Sequence, residues 1–132
     1  MGKKIGMFIA DKKFVLSLLV ILILGQVIWL NFGLSARPSF WWFDNLTHFL
    51  GGVMVASLFF SFFNNRPANW IVVISFVALI GLSWEFYEYL NDRFWLTNTM
   101  ELNDTLSDLF FDLLGGGLAA AIYYSKFNLY KD

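Results

Sequence analysis

No cysteine occurs among the 132 residues of this chain. That excludes disulfide staples, thiolate nucleophiles and cysteine-ligated metal centres together. Histidine occurs once, so metal chemistry here needs a ligand set made mostly of oxygen. Charge is scarce: 14% of residues are Asp, Glu, Lys or Arg, where soluble domains carry about a quarter. The formal net charge of −1 offers no basic surface for nucleic acid. The two prolines, Pro38 and Pro67, fall in short polar stretches, as helix breakers should. The sequence has no internal repeat and no low-complexity tract.

What fills the chain instead is apolar and aromatic bulk, 58% and 20% of residues. A soluble domain this small could not hide so much, because small domains bury the lowest share of their surface. The expectation is therefore a single integral membrane domain over residues 1–132. A helix needs about 20 predominantly apolar residues to cross the hydrocarbon core. Four such spans are expected, at about residues 14–34, 44–63, 69–90 and 104–124, giving an all-α four-helix transmembrane bundle. The last has an uncharged run only over residues 113–125, so it must start near Asp104 to cross. Asp92, Arg93 and Glu101 fall in the third connector and read as solvated loop residues.

Short cytoplasmic loops are enriched in Lys and Arg. With the N-terminus inside, seven basic residues (Lys3, Lys4, Lys12, Lys13, Arg66, Lys126, Lys131) lie on the inner side and two, Arg37 and Arg93, on the outer. This predicts an N-in/C-in, multi-pass protein of the cell (inner or plasma) membrane. Trp41, Trp42 and Trp95 then fall at the outer interface, where indoles settle. The first apolar run exceeds a signal-peptide core of about 7–15 residues, so an uncleaved first span is expected rather than cleavage after Ser35-Ala36. The N-terminal MGKKIG has no Ser or Thr for myristoylation.

This topology makes the ionisable residues conspicuous. Asp44 and His48 open the second span, Glu85 and Glu88 close the third, and Asp104, Asp108 and Asp112 open the fourth. All seven therefore belong to the outer half of the bilayer. Residues three or four apart share a helix face, so each group presents its side chains together. Asp112 lies about 12 Å deeper than Asp104 at the helical rise per residue. An aspartate at a membrane-helix centre costs about 2.5–3.5 kcal/mol, so such groups face the bundle interior and find partners. No Lys or Arg lies within the spans to provide one.

A bound divalent cation is one natural partner. D-x3-H, E-x2-E and D-x3-D on three helices suit inward-facing ligands, as in carboxylate-bridged metal bundles. Candidate metal ligands are His48, Glu85, Glu88, Asp108, Asp44 and Asp104, for Mg²⁺, Mn²⁺, Fe²⁺ or Zn²⁺. Glu85 and Asp112 are the candidate catalytic residues, placed to accept a proton from a metal-activated water. Simpler roles compete. Asp44 could be no more than the N-cap of its helix, Asp104 a cap or first-turn dipole partner, and His48 could hydrogen-bond a neighbouring helix and do nothing else. Gly51-Gly52 and Gly115-Gly116-Gly117 sit just inward of the acidic groups and predict a close crossing of the second and fourth spans.

The stretches DNLTHFLGG, WEFYE and DTLSDLFFDLLGG resemble the VanZ-like membrane proteins and the related YjdF-type proteins. Asp44, His48 and Phe49 match an Asp and His-Phe that open one helix of that pattern. Glu85 and Glu88 stand where it has Glu then Gln, and Asp108, Asp112 and Gly115 where it has Asp, Asn and Gly. The two acidic replacements and WEFYE bring the chain nearer the YjdF type. The resemblance covers roughly residues 40–120. It implies a bacterial or archaeal membrane protein and, through the link of VanZ to glycopeptide (teicoplanin) resistance, a cell-envelope setting.

Three functions follow as expectations. The first is a cation-binding protein or enzyme acting on a lipid-linked or envelope substrate at the outer leaflet, with membrane lipid as its partner. The second is a cation or proton carrier. It needs a polar path to the other side, and residues 118–122 and most of 59–80 are apolar. The third is a non-catalytic membrane subunit whose polar cluster is structural.

Overall fold

The computed structural model describes residues 9–31, 41–63, 69–95 and 102–128. It holds four long helices: α1 (Lys12–Asn31), α2 (Trp41–Phe63), α3 (Trp70–Trp95) and α4 (Leu102–Asn128). The connectors with Pro38 and Pro67, Arg37, Arg66, Glu101, and the terminal Lys3, Lys4 and Lys131 lie outside the described residues. The side chains of Trp41, Asp92, Arg93, Trp95 and Lys126 do as well.

Each start with a described boundary has a local cause. The Asp11 carboxylate accepts the Lys13 N–H at 2.7 Å and caps α1. The Asn69 side chain does the same for the Ile71 N–H at 3.1 Å, two residues after Pro67, and so caps α3. α3 runs to Trp95, beyond the expected end at residue 90, because nothing between Asn91 and Trp95 breaks a helix. Asp92 and Arg93 thus belong to a helix rather than a loop.

Among the described residues, three helices contain runs long and apolar enough to cross a membrane: Trp42–Phe63 in α2, Trp70–Leu90 in α3 and Leu102–Ser125 in α4. α2 is the hub. Its most extensive contact is with α4, and it also packs on α1 and α3. α4 packs on α3 as well, while α1 packs chiefly on α2.

The α2–α4 contact is close because glycine permits it. A Cβ at Gly52 would overlap the Asp112 carbonyl, and one at Gly115 would overlap the Phe49 carbonyl. Each helix thus lays a glycine on the other's backbone, the small-residue crossing expected from the sequence. Below it the core is apolar: Val55, Ala56, Phe59 and Phe60 of α2 meet Val73 and Val77 of α3 and Ala119 and Ala120 of α4. At the far end Phe60 stacks on Tyr123 with ring centroids 3.9 Å apart and planes at 7°.

Candidate metal centre

The start of α2, the last turns of α3 and the start of α4 converge at one end of the bundle, and His48 stands at their centre. Its Nε2 lies 4.0 Å from Asp44 Oδ1, one turn back on α2, and 3.8 Å from Asp108 Oδ2 on α4. Its Nδ1 faces Asp112 Oδ2 at 3.4 Å, one turn further along α4. The helical spacings D-x3-H and D-x3-D produce this arrangement directly, since each pair shares a face.

Among the described residues, two overlapping sets of potential ligand atoms share the imidazole. Atoms of Asp44, His48 and Asp108 all lie within 4.8 Å of one another, and so do atoms of His48, Glu85 and Glu88. Donors on opposite sides of an ion at about 2.0–2.2 Å would stand about 4.2 Å apart. The sets are therefore of a size that small side-chain rotations close around one cation.

Burial separates the members. Asp108 is 3% exposed, Glu85 5%, His48 6% and Asp112 7%. Asp44 and Glu88 are half-buried, and Asp104 is exposed in the first turn of α4, outside both sets. Asp44 does not cap α2, which already runs from Trp41, so its carboxylate is free to face His48. Among the described residues, two buried oxygens, Glu85 Oε1 and Asp108 Oδ1, have no hydrogen-bond partner. Leaving such an acceptor unmade costs about 1–3 kcal/mol, and more when it is charged. Glu88 is held differently: Trp84 Nε1 donates to its Oε1 at 2.9 Å.

Asp112 is seated by two glycines. Its carboxylate lies between Gly51 of α2 and Gly81 of α3. A Cβ at Gly51 would stand 3.6 Å from Oδ1, and one at Gly81 only 2.6 Å from Oδ2. Gly81 was not among the sequence candidates. It sits four residues before Glu85, on the face of α3 that Glu85 turns toward the site, and that spacing was its only sequence signal. Higher on the same contact, Ser107 Oγ donates to Asn45 Oδ1 at 3.0 Å and ties α4 to α2.

The electrostatics of this end are one-sided. Five carboxylates, of Asp44, Glu85, Glu88, Asp108 and Asp112, stand around one imidazole, and no Lys or Arg occurs within residues 42–63, 70–90 or 102–125. Protonation of His48 supplies a single positive charge. Buried carboxylates beyond that must be protonated, hydrated or bound to a cation.

The chain matches a family model described as "Predicted membrane protein (DUF2238)" over residues 10–128. It is also 33% identical over 113 residues to an uncharacterized protein of Thermotoga maritima, an alignment covering 79% of this chain and 56% of that relative. The chain thus spans little more than half the relative's length. No solved structure matches. A match across all four helices, joined to three helices apolar enough to span a bilayer, makes this chain a member of the DUF2238 family of predicted membrane proteins.

Proposed function

We propose that this protein is a four-span, N-in/C-in protein of the cell membrane that binds a divalent cation at His48 in the outer half of the bilayer. The observation that carries the proposal is the pair of buried, unpartnered oxygens, Glu85 Oε1 and Asp108 Oδ1, each belonging to a ligand set that contains His48. A cation accepts lone pairs from both and offsets two of the carboxylate charges, at a place where no basic side chain lies among the described residues. Asp44, Asp108 and His48 Nε2 form the core of the site, with Glu85 and Glu88 completing it from α3. Asp104 drops from the ligand set because it is exposed and outside both groups.

Asp112 fits a supporting role better than that of a base. Its oxygen faces Nδ1, the ring nitrogen opposite the ligating one. A carboxylate in that position accepts the Nδ1 proton, leaves the Nε2 lone pair free and fixes the ring's orientation. Glu85 is then the remaining carboxylate that could take a proton from a cation-bound water. Held here, the cation would polarise a phosphoryl or carbonyl oxygen presented from the outer leaflet. The motif resemblance to VanZ-like and YjdF-type proteins supports the choice of positions and a cell-envelope setting.

Elemental mass spectrometry of the purified, chelator-washed protein tests the site. The expected result is one divalent metal per chain, lost from Glu85→Gln and Asp108→Asn while both stay folded. Metal at background in the unaltered protein, or metal retained in both variants, overturns it.

A further inference from the structure

A half-open cavity of about 380 Å³ lies against α2 where α1 and α3 stand apart. That volume falls within the range of small-ligand pockets, about 300–1,000 Å³. Its floor is the buried pair Val55 and Val77, and its rim is formed by Ile23 of α1 and by Ile80 and Trp84 of α3, all exposed. Among the described residues its ionisable lining groups are His48 and Asp112, both more than nine-tenths buried. From Thr47 to Val55 the cavity follows α2 for about 12 Å at the helical rise. The cavity thus extends from the acid–imidazole cluster toward the middle of the membrane, with an apolar lining once His48 and Asp112 are passed.

We propose that this cavity takes one hydrocarbon chain of a bilayer lipid, entering sideways between α1 and α3, and brings the polar groups of that lipid against His48. Three features support this occupant over a soluble molecule. The rim residues sit on helix faces that meet lipid, so the mouth opens to acyl chains rather than to water. Past His48 and Asp112 the lining from Leu19 and Leu22 of α1, Met54 and Val55 of α2 and Val77 and Ile80 of α3 offers no hydrogen bond that a polar ligand could use. The polar end coincides with the cation site, where a phosphate or carbonyl at the head of the chain would find an electrophile. The inference deepens the proposed function by naming the ligand class at that site and rests on it for what the head of the lipid meets. The chain-binding part stands on the cavity alone.

The full chain is reconstituted in phosphatidylglycerol vesicles containing a trace of the same lipid with a diazirine in one acyl chain. After illumination, adducts are mapped by mass spectrometry and metal is measured on the same samples. Adducts are expected at the buried Val55 as well as at exposed residues such as Leu79 and Leu82. Leu22→Trp and Ile80→Trp, which fill the cavity from the lipid side, are expected to reduce the Val55 adduct by about tenfold while metal content stays unchanged. Adducts confined to exposed residues, or a Val55 adduct indifferent to both variants, overturn the proposal. So does a chain-to-chain crosslink from Ile80→Cys that displaces the lipid adduct, since the occupant would then be a second copy. A Val55 adduct without bound metal sinks the cation site and leaves the lipid chain. Metal without the adduct does the reverse.

Discussion

At one end of the bundle α2 carries Asp44 and His48 into a group of carboxylates from α3 and α4. At the other end the same helix closes in Phe59 and Phe60, packed on Phe76 and Tyr123. Both ends are buried in one set of helices, and they are held together by different physics. The aromatic end is non-directional packing: Phe59 and Phe76 at 5.4 Å, Phe60 and Tyr123 at 3.9 Å, with small alanines between helices. Such contacts tolerate volume-conserving exchange. The acidic end is a set of aimed polar atoms whose positions depend on how closely α2, α3 and α4 approach. The glycine crossing of Gly52 and Gly115 lies between the two ends and fixes that approach for both.

The sharpest way to break the comparison is therefore to act on the crossing. Gly52→Leu forces a side chain into the Asp112 backbone and is expected to destabilise the fold by about 3 kcal/mol, since backbone cannot move aside as a side-chain tip can. Gly117→Leu is its control, because a Cβ there meets nothing within 4 Å. Reversible unfolding in mixed micelles should separate the two. Equal loss in both would show that the crossing is not what sets the helix approach.

Next comes the orientation of His48. Asp112→Asn keeps the shape and removes the charge facing Nδ1, so cation affinity is expected to fall by about 10–100-fold with little change in melting temperature. Calorimetric titration with Mn²⁺ reads this. Unchanged affinity would mean that Asp112 only fills the space between Gly51 and Gly81. Phe60→Leu acts at the opposite end and should give the converse pattern. It is expected to lose about 1 kcal/mol of stability, part of it the ring stack on Tyr123, with the Mn²⁺ affinity unaltered. The smallest effect belongs to Asp104→Asn. An exposed first-turn carboxylate contributes about 0.5 kcal/mol or less through the helix dipole. It lies outside both ligand sets, so neither measurement should move appreciably.

How much of this was legible beforehand differs between the ends in the same way. The all-α architecture and the spans of α2, α3 and α4 follow from runs of apolar residues and from the breaks at Pro38 and Pro67. The i, i+4 spacing of Asp44 with His48 and of Asp108 with Asp112 already put those side chains on common faces, and the paired glycines announced the crossing. What stayed hidden depends on rotations between helices, which no local spacing encodes. That Asp112 faces Nδ1 while Asp108 faces Nε2 is a matter of how α4 is turned against α2. The fit of the Asp112 carboxylate over Gly81, a single glycine in an otherwise ordinary apolar run, arises from α3 in the same manner. The exposure of Asp104, one turn above the buried Asp108, shows where the end of the bundle opens. The cavity was equally invisible, because it is a space left where α1 and α3 do not meet.

Because the chain contains a single histidine, one spectrum addresses the central claim. The protein is loaded with Mn²⁺ and its pulsed electron paramagnetic resonance recorded with natural-abundance and with ¹⁵N-labelled histidine. The account predicts a directly coordinated nitrogen whose coupling changes on labelling, together with fewer bound waters than the aqueous ion. A fully hydrated Mn²⁺ with no histidine nitrogen would contradict it, and His48 would then belong to a hydrogen-bonded network with no metal at its centre.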